Sequence, residues 1–253
     1  MGPAEVLELI GSAPQRYDTV RAALRYWGHG STMRTLRDRY LKSEAYRLES
    51  GGSTDPSEEV GYPEPDGPFG WSCRVWYAKV SPERGVRSRL EVELPREVYP
   101  DGGVYISAWD GRISGPNTAV RARIGGGSPE EDPPWIDLAQ DGFWSIYLFD
   151  FEGTAGFPLV SRELSVEGER RKAGREAIRV VGVPEEEWDH WPEPLWWGAD
   201  EYEFLVDSER GVLLRCASRL GGKDIDALEV EEIHFDEELP EDVFSSRDPL
   251  PWR

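Results

Sequence analysis

The chain has 253 residues, with 49 acids against 29 bases and a formal net charge of −20. That length suits one large β-rich domain or two small ones, and at this size roughly 70–75% of the unfolded chain's surface can be buried, so the core needs no staples. The charge makes nucleic acid and anionic membrane surfaces poor partners, since the one basic run, Arg170-Arg171-Lys172, is short and follows Glu169.

The first residues, MGPAEVLELIGSAPQRYD, carry no basic n-region and no long apolar core, so they do not read as a signal peptide. No run approaches the ~20 apolar residues of a membrane span, and the chain is expected to be cytoplasmic. Pro3 to Ala13 reads as a short helix, with Pro3 in its first turn and Val6, Leu9, Ile10 and Ala13 on one face. Tyr17 to Trp27 fits two periods. Val20, Ala22, Leu24 and Tyr26 alternate with Arg21 and Arg25, which favours a strand, while Val20, Leu24 and Trp27 also fit a helix. Met33, Leu36, Tyr40 and Leu41 predict a helix from about Thr32 to Ala45, so that a largely helical N-terminal region spans residues 3–45.

Residues 50–70 are rich in Gly, Pro, Ser and acids and read as a mobile loop. The main sheet is expected to start near Ser72. Ser72 to Val80 is one strand. Arg87 to Leu94 is the next, with Leu90, Val92 and Leu94 inward and Arg89, Glu91 and Glu93 outward. Val104 to Trp109 and Arg112 to Ser114, around Asp110-Gly111, carry a two-residue hairpin signal. Residues 125–134 form a second loop. Ile136 to Phe151 is apolar on most sides and reads as containing a short buried helix. Ser161 to Arg171 and Arg175 to Val183 form a hairpin around Ala173-Gly174, and a Trp-rich connection, Pro184 to Gly198, follows.

The closing stretch is the most informative. Tyr202, Phe204 and Val206 alternate with Glu201 and Glu203. Asp207 to Gly211 is a turn, Val212, Leu214 and Cys216 continue the alternation, and Gly221 to Asp224 is a second turn. Leu228 and Val230 are out of phase with Ile233 and Phe235, so Glu231-Glu232 inserts an extra residue, the mark of a β-bulge. Val206-Asp207, Glu209, Gly211, Val212 to Arg215, Glu229-Val230, Phe235-Asp236-Glu237, Leu239-Pro240 and Phe244 resemble the end of a LolA-like domain, the superfamily of bacterial lipoprotein carriers. Ala173-Gly174-Arg175 with Ala177 and Ile178 is similar too. The resemblance implies one domain over residues 1–253: an α+β, β-dominated fold whose strongly curved antiparallel sheet, an unclosed β-barrel, wraps a few helices in its concave face. It also implies a carrier or a regulatory partner without shared catalytic residues, although members are usually exported.

On that basis the expected function is non-enzymatic: a half-barrel cavity sheltering an acyl chain or other amphipathic ligand. Its candidate lining is Leu90, Val92, Tyr105, Tyr202, Phe204, Leu214 and Val230 of the sheet, and Trp144, Tyr147 and Leu148 of the inserted helix. Plain core is the competing reading of every one of them. The alternative is a protein-interaction or sensor module that docks through Trp188, Trp191, Trp196 and Trp197, residues that otherwise simply seal one rim of the barrel. His29, His190 and His234 lack metal-ligand spacing, no nucleotide or nucleophile motif is present, and no cofactor is implied. Cys73 and Cys216 lie in apolar alternating segments and read as buried free thiols.

Overall fold

The structure, a computed structural model, describes residues 1–41, 67–81, 85–93, 103–110, 119–124, 162–184, 199–240, 242–246 and 248–250. The expected loops at 125–134 and through most of 50–70, the inserted helix and the tryptophan flap lie outside them.

The chain opens with α1 (Pro3–Gly11), whose apolar stripe Val6, Leu9 and Ile10 is buried. A 3-10 turn follows, Ala13–Gln15. The two-period segment then resolves as a strand, β1 (Thr19–His29), because Val20, Ala22 and Leu24 are buried on one face while the residues between them are not. Helix α2 (Gly30–Leu41) follows without a loop. Among the described residues nine further strands follow: β2 (Pro68–Ser81), β3 (Gly85–Glu93), β4 (Val104–Asp110), β5 (Ala119–Ile124), β6 (Arg162–Lys172), β7 (Arg175–Pro184), β8 (Glu201–Asp207), β9 (Leu213–Leu220) and β10 (Lys223–Phe235).

All ten strands form one open antiparallel sheet in the order β5-β4-β3-β2-β1-β10-β9-β8-β7-β6. It consists of two five-strand meanders joined where β1 meets β10. The closing meander pairs consecutively as the alternation predicts. The bulge is also where the phase break puts it: Ala23 pairs with Glu232 and Leu24 with Val230, which leaves Glu231 as the extra residue. The β6–β7 turn places Ala173 and Gly174 at φ 52° and 75°, and the β9–β10 turn places Gly221 and Gly222 at 58° and 74°; these are the left-handed pairs a two-residue hairpin requires.

Two expectations are corrected. The partner of β4 is residues 119–124, with Val104 opposite Ile124 and Trp109 opposite Ala119, and not 112–114. Val120, Ala122 and Ile124 continue an alternation that three residues around Ile113 cannot, and this outweighs the local Asp-Gly turn signal. Arg89 and Glu91 do leave the inner face, yet they are not wet: both are fully buried, for a reason given below.

The inner face of the sheet and the two helices share one core. Val6, Leu9 and Ile10 of α1 and Leu36 of α2 belong to the same buried cluster as Leu24, Val75, Leu90, Phe204, Leu214 and Val230. The Asp207 turn fixes how α1 meets the sheet. Asp207 is wholly buried, and its Oδ1 accepts the N–H groups of Glu209 (2.9 Å) and Arg210 (2.7 Å). Gly211 then sits at φ 78°, so close to α1 that a Cβ would lie 2.3 Å from the carbonyl oxygen of Leu9.

Candidate functional site

Six of the expected cavity residues, Leu90, Val92, Tyr202, Phe204, Leu214 and Val230, do share the inner face, and each is between 0% and 2% exposed. They pack in one continuous cluster with α1 and α2. Tyr105 stands opposite Val92 in the β3–β4 register. Trp144, Tyr147, Leu148 and the four flap tryptophans lie outside the described residues. Cys73 and Cys216 are reduced thiols, not joined in a disulfide, and both are buried on the same face.

The opposite face carries charge in place of apolar side chains. Glu203 on β8 accepts from Arg179 of β7 (2.6 Å) and from Arg215 of β9 (2.5 Å). Arg215 also reaches Asp224 (2.5 Å) and Glu229 of β10 (3.1 Å). Glu229 takes in addition Lys172 and the indole N–H of Trp27 (3.3 Å). Against the cost of its own partial burial, these donors hold the Glu229 carboxyl below the usual carboxylate range.

Two features stand on this outer face at opposite ends of β2 and β3. One is an opening of about 660 Å³, lined by Arg25, Trp27, His29, Pro68, Phe69, Gly70, Trp71, Ser72, Glu93 and Glu231. The register places Arg25 beside Ser72, Trp27 beside Gly70 and Ser72 beside Glu93. Gly70 permits this approach, since a Cβ there would lie 2.4 Å from the Tyr26 carbonyl oxygen. Sequence reading passed over this site because Arg25 and Trp27 looked like the solvated half of an alternating strand. The signal available was the density of the run Arg25-Tyr26-Trp27-Gly28-His29.

The other feature is the seat of the C-terminal segment. Arg89 donates to the carbonyl oxygens of Val243 (3.1 Å), Ser246 (2.6 Å) and Asp248 (2.7 Å), and pairs with Glu91 at 2.6 Å. Glu91 accepts the N–H of Leu250 at 2.9 Å, while Arg74 donates to the Leu250 carbonyl oxygen at 3.0 Å and pairs with Glu91 at 3.0 Å. Val243 and Phe244 pack on Trp76 and Ala78, and Arg87 lies over the Phe244 ring. This strap explains the dry Arg89 and Glu91. Main-chain carbonyls and a carboxylate satisfy a guanidinium that alternation alone assigns to water.

The open ten-stranded antiparallel sheet, with helices packed on one face, settles the architecture. It is the unclosed antiparallel sheet with helices against one face that the sequence resemblance implies. No family model and no curated protein matches the sequence. Solved structures do match. A crystal structure of MucB aligns over 96% of this chain and 62% of that one, at 15% identity and a TM-score of 0.53. The MucA/MucB complex of Pseudomonas aeruginosa aligns over 96% and 60%, at 14% identity and a TM-score of 0.50. A LolA superfamily protein from Nitrosomonas europaea aligns over 97% and 98%, at 8% identity and a TM-score of 0.27. The chain thus spans about 60% of the length of the MucB chains it matches.

Proposed function

We propose that this chain is a non-enzymatic binding domain that acts by engaging another protein, through the surface of its sheet rather than through a lipid-sized cavity behind it. The observation that carries the reading is the filled inner face: the six side chains placed to line a cavity are packed to 2% exposure or less against the helices and one another. A carrier needs room there, and a close-packed interior gives an acyl chain none. The likeness to MucB, solved in complex with MucA, supports a protein partner as the class of ligand. The identity of any partner here is not carried over, since only part of MucB is matched.

The test is a titration with fatty acids of increasing length, paired with cross-linking mass spectrometry on protein purified from its own host. The expected affinity is flat with chain length, and the expected cross-links to a stoichiometric protein partner fall on outer-face residues. Affinity that climbs roughly tenfold for every two methylenes, or a retained lipid of defined mass, overturns the reading in favour of a carrier.

A further inference from the structure

We propose that the outer-face opening around Arg25 is a binding site for a small monocarboxylate with a planar ring. The first observation is electrostatic. Arginine side chains on this sheet are tied down: Arg74, Arg89, Arg175, Arg179, Arg215 and Arg219 all pair with carboxylates. Among the described residues, Arg25 is the arginine with no hydrogen bond, ion pair or ring contact. It stays single although Glu229 stands directly opposite it on β10 and Glu93 and Glu231 line the same opening. In a chain with 20 more acids than bases, a guanidinium left unpaired beside three carboxylates is aimed at something else.

The second observation is the shape and chemistry of the walls. Trp27, on the same face of β1 as Arg25, supplies aromatic surface. The Trp27 ring is held in place, with its N–H on Glu229 and its plane nearly perpendicular to the His29 ring at a centroid distance of 5.8 Å. The volume, about 660 Å³, falls within the ordinary range for a small-ligand pocket. His29 immediately precedes the first residue of α2, so the positive end of that helix lies at the same margin.

The combination selects its ligand. One guanidinium takes one carboxylate through two parallel N–H donors. The fixed indole takes a ring face. Glu93 and Glu231 repel a second negative charge, which turns away polyphosphates and nucleic acid.

The experiment titrates the full chain by calorimetry with 2-naphthoate, its neutral amide 2-naphthamide, and the cation 2-naphthylmethylammonium. Binding of 2-naphthoate is expected to be at least tenfold tighter than that of the amide, and tighter than that of the cation. Arg25→Gln should erase the preference for the acid while leaving amide binding unchanged. Arg25→Lys should restore part of it. Trp27→Leu should weaken acid and amide alike by about tenfold. Circular dichroism and the unfolding midpoint of each variant check that the sheet is intact, and Arg25, exposed and unpaired, is expected to be neutral there. Equal affinity for acid and amide, a preference that survives Arg25→Gln, or no binding of 2-naphthoate at millimolar concentration each overturns the proposal. None of these outcomes bears on whether a protein docks elsewhere.

Discussion

Asp226 is a carboxylic acid enclosed within β10, and burial pushes it up to about 7 from an ordinary value of 3.8, while hydrogen bonds from Ser218, including its N–H at 3.2 Å, pull the other way. The native state therefore keeps its proton at pH values where the unfolded chain has lost it. Stability from this group is fully present below about pH 4, falls as pH rises towards 7, and is level above that. The expected span is on the order of 4 kcal/mol. Asp226→Asn keeps the acceptor for Ser218 without the charge, so its stability relative to the parent should grow across that window. Urea unfolding at pH 4, 5.5 and 7.5 reads the difference, and a constant offset would mean that the site is wetter than its surroundings indicate. Arg89 makes the opposite case, a buried charge fully satisfied. Arg89→Ala leaves Glu91 with less compensation and three carbonyl groups without a donor, at an expected cost of about 3–5 kcal/mol. Limited proteolysis should then cleave near Phe244, which the parent protects.

At the scale of elements, the turns decide more than the strands. Gly211 and Gly222 both have positive φ, but only Gly211 has a neighbour in the way. Gly222→Ala should cost about 1 kcal/mol, the left-handed penalty alone. Gly211→Ala adds a clash with the Leu9 carbonyl and should cost at least twice as much while loosening α1, which hydrogen exchange of Val6 to Ile10 would show. Strands whose inner and outer faces differ in polarity were legible from alternation alone. Leu90 and Val92 are inward, Phe204 and Leu214 are inward, and the Glu231 bulge sits where the phase breaks. Alternation separates faces but does not say what covers them. Arg89 was legible as outward and not as buried, because its partners are backbone atoms some 160 residues away. Arg25 was invisible for a related reason: what distinguishes it is the absence of a partner, which a pattern of residue types does not encode. The β4 partner was misplaced because a two-residue turn signal is local, whereas the pairing it competes with is not.

For the whole molecule, the two thiols report on cooperativity. Cys73 sits on β2 in the first meander and Cys216 on β9 in the second, both buried in one core. If the ten strands unfold as a unit, both cysteines should react with a thiol probe at the same rate under native conditions, and that rate should fall equally for both when the protein is stabilised. Two rates differing by more than tenfold would divide the chain into two folding units at the β1–β10 seam.

That seam also bears on how the protein is made. On the ribosome, Val20 emerges 215 residues ahead of its partner Phe235. Strands β1–β5 can assemble as soon as they leave the exit tunnel, yet one side of β1 then carries unpaired N–H and C=O groups until β10 follows. A nascent chain stalled before Lys223 presents that bare edge to its neighbours on the polysome. The middle of the sheet, rather than its rim, is thus the part most in need of a chaperone.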